Sequence, residues 1–524
     1  MKNKKIVIIM MAIFLIIQTI IYVCVGAKKS YIHIDEAYSY GLAHYERIEI
    51  QDKEDFYNNW HKKEYYEDYL AVQEDEVGNY KPVYENQKND VHPPLYYLML
   101  RIAMNFTKGH FSKWSGITLN IIIYAFITIF MYLILKEIFK DEENAEIKSC
   151  ILAFVSSIIL ASVSNVIYIR MYALSTLNIV ITTFLHIKLL ESKEINPKLL
   201  ICIGISVLAG ILTHYFYLFY LAVLYIIFLI KYIKEKRKKE LIYYTLTMVI
   251  SGITSLIIFP YSIKHIFFGY RGQGVISNLK NIKEIVPAIF AQIYNLNYYG
   301  FNNLLPLILV TIMGILIYNK IKKKESIKIT KDKKDILRLI AIPSTIFFVI
   351  SSISSPWRVL RYIVPVCALI FVLVIYYLYK LLQTIFSKKT TNILISVILC
   401  MILISPFILK MEPELLYSER KDIMQKFKEE LNLPAIYLYD SQNGSILNDI
   451  LAFSSIDESY VAKDIEIEDV EKILVDKDIS KGIIVFINEE KDTNEVVDKI
   501  KTTLNFTNCE HLQRLTSCDA YYIY

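Results

Sequence analysis

Apolar stretches approaching the roughly 20 residues that a helix needs to cross a hydrocarbon core recur along most of the chain, separated by short polar segments. Eleven of them fall at about 6–27, 117–135, 151–169, 175–190, 199–212, 218–229, 242–259, 304–318, 336–353, 359–382 and 393–409. Every even-numbered stretch runs into a lysine-rich segment: Lys136, Lys140 and Lys148, then Lys193 and Lys198, the run Lys231 to Lys239, the cluster from Lys320 to Lys334, and Lys388 with Lys389. Lys2, Lys4 and Lys5 precede the first stretch. Because basic loops stay on the cytoplasmic side, the pattern predicts an α-helical polytopic membrane protein of about eleven spans with a cytoplasmic N-terminus. The first apolar run is long and lacks a small-residue cleavage site, so it reads as an uncleaved anchor.

The odd-numbered spans then end outside. A long first external loop, 28–115, is polar and tyrosine-rich, and closes on Val91-His92-Pro93-Pro94-Leu95-Tyr96-Tyr97. The apolar piece behind the prolines is too short to span, which predicts a helix lying at the interface and started by the prolines. A second external loop covers 260–303. After about residue 410 the hydrophobic period changes: 435–439, 459–462 and 482–487 read as strands, with helical patterns at 470–474 and 494–504 between them. The expected organisation is a transmembrane catalytic domain over 1–410 and a small extracytoplasmic α/β domain over 411–524. The latter has no glycine-rich phosphate fingerprint, so no nucleotide site is expected there; an acceptor-recognition role and a structural cap both stay open.

Composition agrees. Hydrophobic residues make up 54% of the 524, and mean hydropathy is +0.37, above what a soluble chain of this length carries. The net charge of +6 would suggest nucleic acid in a soluble protein; here the cytoplasmic lysines account for it, and no nucleic-acid partner is expected. Five of the seven cysteines lie in or beside apolar segments. Cys509 and Cys518 sit in the tail and are candidates for a disulfide if it is extracytoplasmic.

The topology gathers Asp35, Glu36, His92, Arg170, His214, Arg271, Arg358 and Arg361 at the external ends of spans. Singly, each has a plain structural explanation: arginines snorkel at span ends, histidines hydrogen-bond at interfaces, and a juxtamembrane carboxylate can simply stay hydrated. Collectively they make a chemistry. Arginine binds phosphate bidentately and keeps its charge at any relevant pH, and a carboxylate can take a proton from an attacking hydroxyl or amine. Together they suit transfer from a membrane-borne phosphate ester. A transporter or flippase of lipid-linked saccharides would need similar groups, but nearer mid-membrane and with internal repeats, neither of which the sequence displays.

Asp35-Glu36 after the first span, His92-Pro93-Pro94-Leu95-Tyr96-Tyr97, Arg170-Met171-Tyr172-Ala173-Leu174, His214-Tyr215-Phe216 and Arg361-Tyr362-Ile363-Val364-Pro365 resemble glycosyltransferase family 39 over about residues 1–410. That family, of the GT-C fold, includes the dolichyl-phosphate-mannose protein mannosyltransferases and the bacterial aminoarabinose transferases. The resemblance implies a polyprenyl-phosphate sugar donor, a protein, glycan or lipid acceptor, and inverting single displacement on the outer face of a bacterial cell membrane. It matches Asp35 to the acidic residue that activates the acceptor, with Glu36 in support. Arg170, Arg271, Arg358 and Arg361 become candidates for donor phosphate, Arg170 and Arg361 first, and His92 and His214 for orienting phosphate or sugar. Some relatives hold a metal between an acidic residue and a histidine; here Val91 precedes His92. A divalent cation at Asp35 and Glu36 stays open, since hard carboxylate ligands suit it.

Overall fold

The computed structural model describes residues 2–46, 49–323, 329–429, 432–439, 446–465, 467–488 and 493–524; the middle of the Lys320 to Lys334 segment lies outside them. Among the described residues eight helices are long and apolar enough to cross a membrane: Lys5–Lys28, Lys113–Phe139, Tyr172–Glu191, Tyr217–Lys234, Lys238–Ile258, Lys331–Ser354, Val364–Leu382 and Lys388–Ile408. Two bent pairs, Ala145–Ile158 with Leu160–Ile167 and Ile282–Gly300 with Leu305–Ile321, raise the number to ten. The remaining predicted span, 199–212, is the shorter apolar helix Pro197–Ile211. Each predicted stretch thus has its helix. Helices Ser262–Phe267, Tyr270–Lys280 and Ile282–Asn295 lie within the range 260–303 of the second external loop.

The chain divides into two compact units, and the division is not the one expected at residue 410. One unit comprises Met1–Gly26, Asp90–Tyr96 and Ile117–Glu414; the other comprises Ala27–Asn89, Tyr97–Gly116 and Leu415–Tyr524. The first loop therefore folds with the carboxy-terminal segment.

In the first unit Val364–Leu382 is the most buried span, with Val366, Leu369, Phe371 and Val372 wholly enclosed. Lipid tails are as apolar as leucine, so span association rests on close packing and polar pairs. Thr182 meets Ser206 at 2.6 Å and Tyr217 at 2.8 Å, Thr183 meets Tyr220 at 2.7 Å, and Asn178 donates to Thr213 at 3.0 Å. Gly210 permits one such approach: a Cβ there would lie 2.4 Å from the Tyr217 ring. Each intramembrane hydrogen bond contributes about 0.6 kcal/mol, so the set matters more than any member.

The second unit is built on a six-stranded sheet: β1 (Trp60–Lys62), β2 (Ala435–Tyr439), β3 (Glu458–Lys463), β4 (Ile483–Asn488), β5 (Cys509–Arg514) and β6 (Cys518–Ile523), in the order β1-β3-β2-β4-β6-β5. The central strands β3, β2 and β4 are parallel, and β2 and β4 are buried at every position, as parallel strands covered on both faces must be. Ile436, Leu438, Ile483, Val485 and Ile487 pack against Val470, Val496, Val497 and Ile500 on one face. On the other, Tyr437 and Phe486 meet Phe453, and Tyr66 of the first loop meets Phe453 at 5.6 Å.

That loop also supplies β1, pairing Trp60 with Tyr460, His61 with Ser459 and Lys62 with Glu458. The helix predicted behind the prolines is Leu95–Met104. Its Arg101 is fully buried and donates to the Glu76 carbonyl, while Ile102 is 51% exposed. The Cys509–Cys518 pairing does not occur. Cys509 stands opposite Ile523 at one end of the β5–β6 hairpin and Cys518 opposite Asn488 at the other; both are free.

Candidate functional site

The predicted residues fall in both units. Asp35 and Glu36 belong to the unit with the sheet; His92, Arg170, His214, Arg271, Arg358 and Arg361 belong to the unit with the spans.

Asp35 and Glu36 open the helix Ile34–His44. His33 is its N-cap: its Nδ1 accepts the Asp35 N–H at 3.1 Å, and its own N–H donates to Glu36 Oε2 at 2.7 Å. This reciprocal arrangement satisfies two helix-end donors that would otherwise be orphaned. Glu36 also meets Lys29 Nζ at 3.0 Å, with both side chains 0% exposed. Lys29 in turn donates to the Leu415 carbonyl at 2.6 Å, and its burial pulls its pKa down while Glu36 pushes it up. Asp35, one residue earlier, keeps 21% of its side chain exposed. The adjacent carboxylates therefore differ: Asp35 is reachable, and Glu36 is walled in as an ion-pair partner and cap.

Asp449 fixes the approach to this helix. It is 1% exposed and accepts from Tyr31 Oη at 3.0 Å, from the Thr516 and Ser517 N–H groups at 2.9 Å each, and from Ser517 Oγ at 2.5 Å. The Arg420 guanidinium lies 4.5 Å over the Tyr31 ring.

In the first unit the helix Leu160–Ile167, which follows a 56° bend at Ile159, ends at Tyr168 and leads into Ile169-Arg170. Asn120 donates to the carbonyls of Val166 and Tyr168, at 3.0 Å each, and so fixes the segment that carries Arg170, whose own N–H donates to the Tyr168 carbonyl at 2.8 Å. Arg170 is 5% exposed. Its neighbours are Asp90 and His214, whose protonation it influences, and Asp90 Oδ2 lies 2.9 Å from His92 Nδ1. Burial disfavours ionised Asp90, but His92 and then Arg170 outweigh it and hold the carboxyl below its usual range. Burial, with His92 and Arg170 adding to it, pushes His214 down to about 3. Its Nδ1 accepts the Phe216 N–H at 3.1 Å, so His214 is a neutral ring whose other nitrogen bears the hydrogen. The His214 ring lies 6.1 Å from His92 and 5.4 Å from Tyr172.

Tyr168 stacks on Tyr172, and Tyr172 meets Tyr362 edge-on, linking this cluster to Arg361. Arg361 Nη1 donates to Tyr168 Oη at 2.8 Å, and its guanidinium lies 5.2 Å from the Trp357 ring. Arg271 approaches the same indole at 4.6 Å. Glu414 completes the surroundings: burial raises its pKa and Arg361 opposes the rise. Arg358 stays apart in an exposed ion pair with Glu284.

Thus the first unit brings together His92, Arg170, His214 and Arg361, with Arg271 joined through Trp357. Sequence reasoning missed Asp90, Tyr168, Trp357, Glu414 and Asp449. Only Asp90 had a local signal: it stands two residues before His92, just ahead of the proline pair.

A metal does not fit Asp35 and Glu36. Glu36 is committed to Lys29 and to its own helix cap, and among the described residues no group of three or more His, Cys, Asp or Glu side chains is placed to hold an ion.

Residues 91–259 match the sequence profile of a family described as dolichyl-phosphate-mannose-protein mannosyltransferase. The match spans about a third of the chain and bears out the resemblance to a family of membrane glycosyltransferases. No curated protein matches the chain in sequence. Two solved structures run along nearly its whole length: ArnT from Cupriavidus metallidurans bound to undecaprenyl phosphate, at 8% identity and TM-score 0.47, covering 98% of this chain and 97% of that one, and the same protein in the apo state, at 8% identity and TM-score 0.45, covering 97% of each. At those values the likeness adds nothing to an assignment of function.

Proposed function

We propose that the protein transfers a sugar from a polyprenyl-phosphate donor to an acceptor on the outer face of a bacterial cell membrane, by inverting single displacement. The N-terminus is cytoplasmic and the sheet-bearing unit extracytoplasmic. The observation that carries the reading is the convergence of Arg271 and Arg361 on Trp357, with Arg361 joined through Tyr168 and Tyr172 to the buried Arg170 cluster. Two guanidiniums on one indole repel each other, and an anionic phosphate between them offsets that repulsion.

In the proposed step the acceptor's nucleophilic atom attacks the anomeric carbon. The acceptor proton passes to Asp35, the anomeric carbon–oxygen bond to phosphate breaks, and polyprenyl phosphate leaves with the bonding pair. Arg361 and Arg271 stabilise the charge growing on the phosphate. Arg170, neutralised in part by Asp90, orders His92 and neutral His214 as donors to phosphate or sugar. No step is assigned to a metal.

Native mass spectrometry of the detergent-purified protein with undecaprenyl phosphate tests the phosphate site. We expect wild type to retain the lipid and Arg361→Gln and Arg271→Gln to lose it, with Arg358→Gln unchanged. Equal retention by all four proteins removes the arginines from the donor site.

A further inference from the structure

A cavity of about 450 Å³ lies within the sheet-bearing unit, beside the segment that leads into the Asp35 helix. Residues 29–32 form one wall; Phe111 to Trp114 and the start of the helix Lys421–Glu429 form the others. Its volume is that of a small-ligand site, and its lining is chemically uneven. Three lysines face it, Lys29, Lys113 and Lys421, against one carboxylate, Glu67. The Lys29 charge is matched by Glu36; Lys113 donates to the backbone carbonyls of Ala27 and Lys29 and lies 5.7 Å from the centre of the Trp114 ring, with no carboxylate paired to it among the described residues. The Lys421 backbone N–H donates to the Ser418 carbonyl, and its side-chain ammonium has no hydrogen-bond or ion-pair partner among the described residues. Trp114 offers its ring and an indole N–H that makes no hydrogen bond among those residues, Phe111 adds a second aromatic face, and Ser454 and Ser455 add hydroxyls.

We propose that this cavity is an acceptor-side site for a phosphate-bearing saccharide. Lys113 and Lys421 supply two point charges for a phosphate. Trp114 and Phe111 supply flat apolar faces for a sugar ring, and Glu67 with the two serines supplies acceptors and donors for its hydroxyls. The assignment rests on the glycosyltransferase reading above and narrows its acceptor to a phosphorylated or phosphodiester-linked glycan. A wall of Lys29 to Ile32 places such an acceptor next to the helix that carries Asp35.

Equilibrium dialysis of the full-length protein in detergent measures the site without turnover, using radiolabelled glucose phosphate, inorganic phosphate and glucose as probes. Glucose phosphate is expected to bind saturably below ~10 mM and more tightly than either fragment, with Lys421→Gln weakening it about tenfold. Trp114→Phe is expected to leave phosphate binding unchanged while reducing the preference for the sugar phosphate. Lys421 is exposed, so its variant keeps the fold, and equal thermal midpoints check this. Equal binding by wild type and Lys421→Gln, or no saturable binding, overturns the proposal. So does competition by phosphatidylglycerol vesicles with no response to glucose phosphate, which would mark the pocket as a lipid headgroup site. Donor turnover is read separately: sugar-phosphate binding without any donor turnover sinks the glycosyltransferase reading, and donor turnover without such binding sinks this site alone.

Discussion

Glu36 stands next to the proposed base, and the structure gives it a different task. Changing Glu36 to Gln keeps an oxygen for the His33 N–H but removes the charge opposite Lys29, 3.0 Å away in a pair with both side chains 0% exposed. Removing one partner of a buried pair costs about 3–5 kcal/mol, because the other charge stays buried and uncompensated. Lys29 retains the Leu415 carbonyl at 2.6 Å, which favours the lower end, about 3 kcal/mol. A unit of this size loses roughly 2–4 °C of melting temperature per kcal/mol, so the expected fall is about 6–12 °C. Thermal unfolding in detergent, followed by tryptophan fluorescence, measures it. The double variant Lys29→Met with Glu36→Gln removes both charges and is expected to regain most of the loss, together with part of the transfer activity. Wild-type stability in Glu36→Gln would refute the reasoning. So would a fully stable but inactive double variant, which would return Glu36 to the chemistry.

Four further outcomes follow. Asp449→Ala leaves the Tyr31 hydroxyl and the Thr516 and Ser517 N–H groups without their charged acceptor, and hydrogen bonds to a charge contribute about 1.5–3 kcal/mol each; denaturant unfolding should show a loss of at least ~3 kcal/mol, and a loss below 1 kcal/mol contradicts the anchor. Asn120→Ala removes the side-chain donor to the Val166 and Tyr168 carbonyls just ahead of Arg170, so donor KM should rise several-fold with little change in expression; an unchanged KM contradicts its positioning role. His214 has a folded pKa near 3, below the ~6.5 of an unperturbed histidine, so the folded state binds fewer protons. Its contribution is complete above about pH 6.5 and is lost as pH falls towards 3; the melting temperature of His214→Asn should depend less on pH between about 7 and 4.5 than that of wild type, and parallel curves would exclude it. Arg361→Lys keeps the charge but loses the fork held by Tyr168 and the Trp357 stack; donor affinity should fall about tenfold, and wild-type affinity would show that charge alone suffices.

The spans were legible because apolar length and lysine loops report on the bilayer directly, and each predicted stretch has its helix. The strands at 435–439, 459–462 and 482–487 were legible for a related reason: a buried parallel strand is a continuous apolar run, as Ile483 to Ile487 shows. Strand β5 was not, because its residues are mostly exposed, and β1 is three polar or aromatic residues that become a strand only by pairing with Glu458 to Tyr460. The union of the first loop with the tail was hidden for the same reason, since Tyr31 and Asp449 meet across 418 positions. In the candidate site, Arg170 and Arg361 stood out as charges beside apolar stretches. The difference between Asp35 and Glu36 did not, because it depends on Lys29 folding back onto the second of two adjacent carboxylates.

The central claim is sugar transfer from a lipid phosphate with Asp35 taking the acceptor proton. Its most direct test is sugar release from a panel of radiolabelled polyprenyl-phosphate sugars, using membranes that contain wild type or Asp35→Asn. The account predicts turnover of at least one donor by wild type and a loss of about 100-fold or more in Asp35→Asn, at equal protein levels and unchanged melting temperature. Turnover unaffected by the substitution would contradict the role of Asp35, and no turnover of any donor by folded wild type would favour a carrier of lipid-linked saccharides over a transferase.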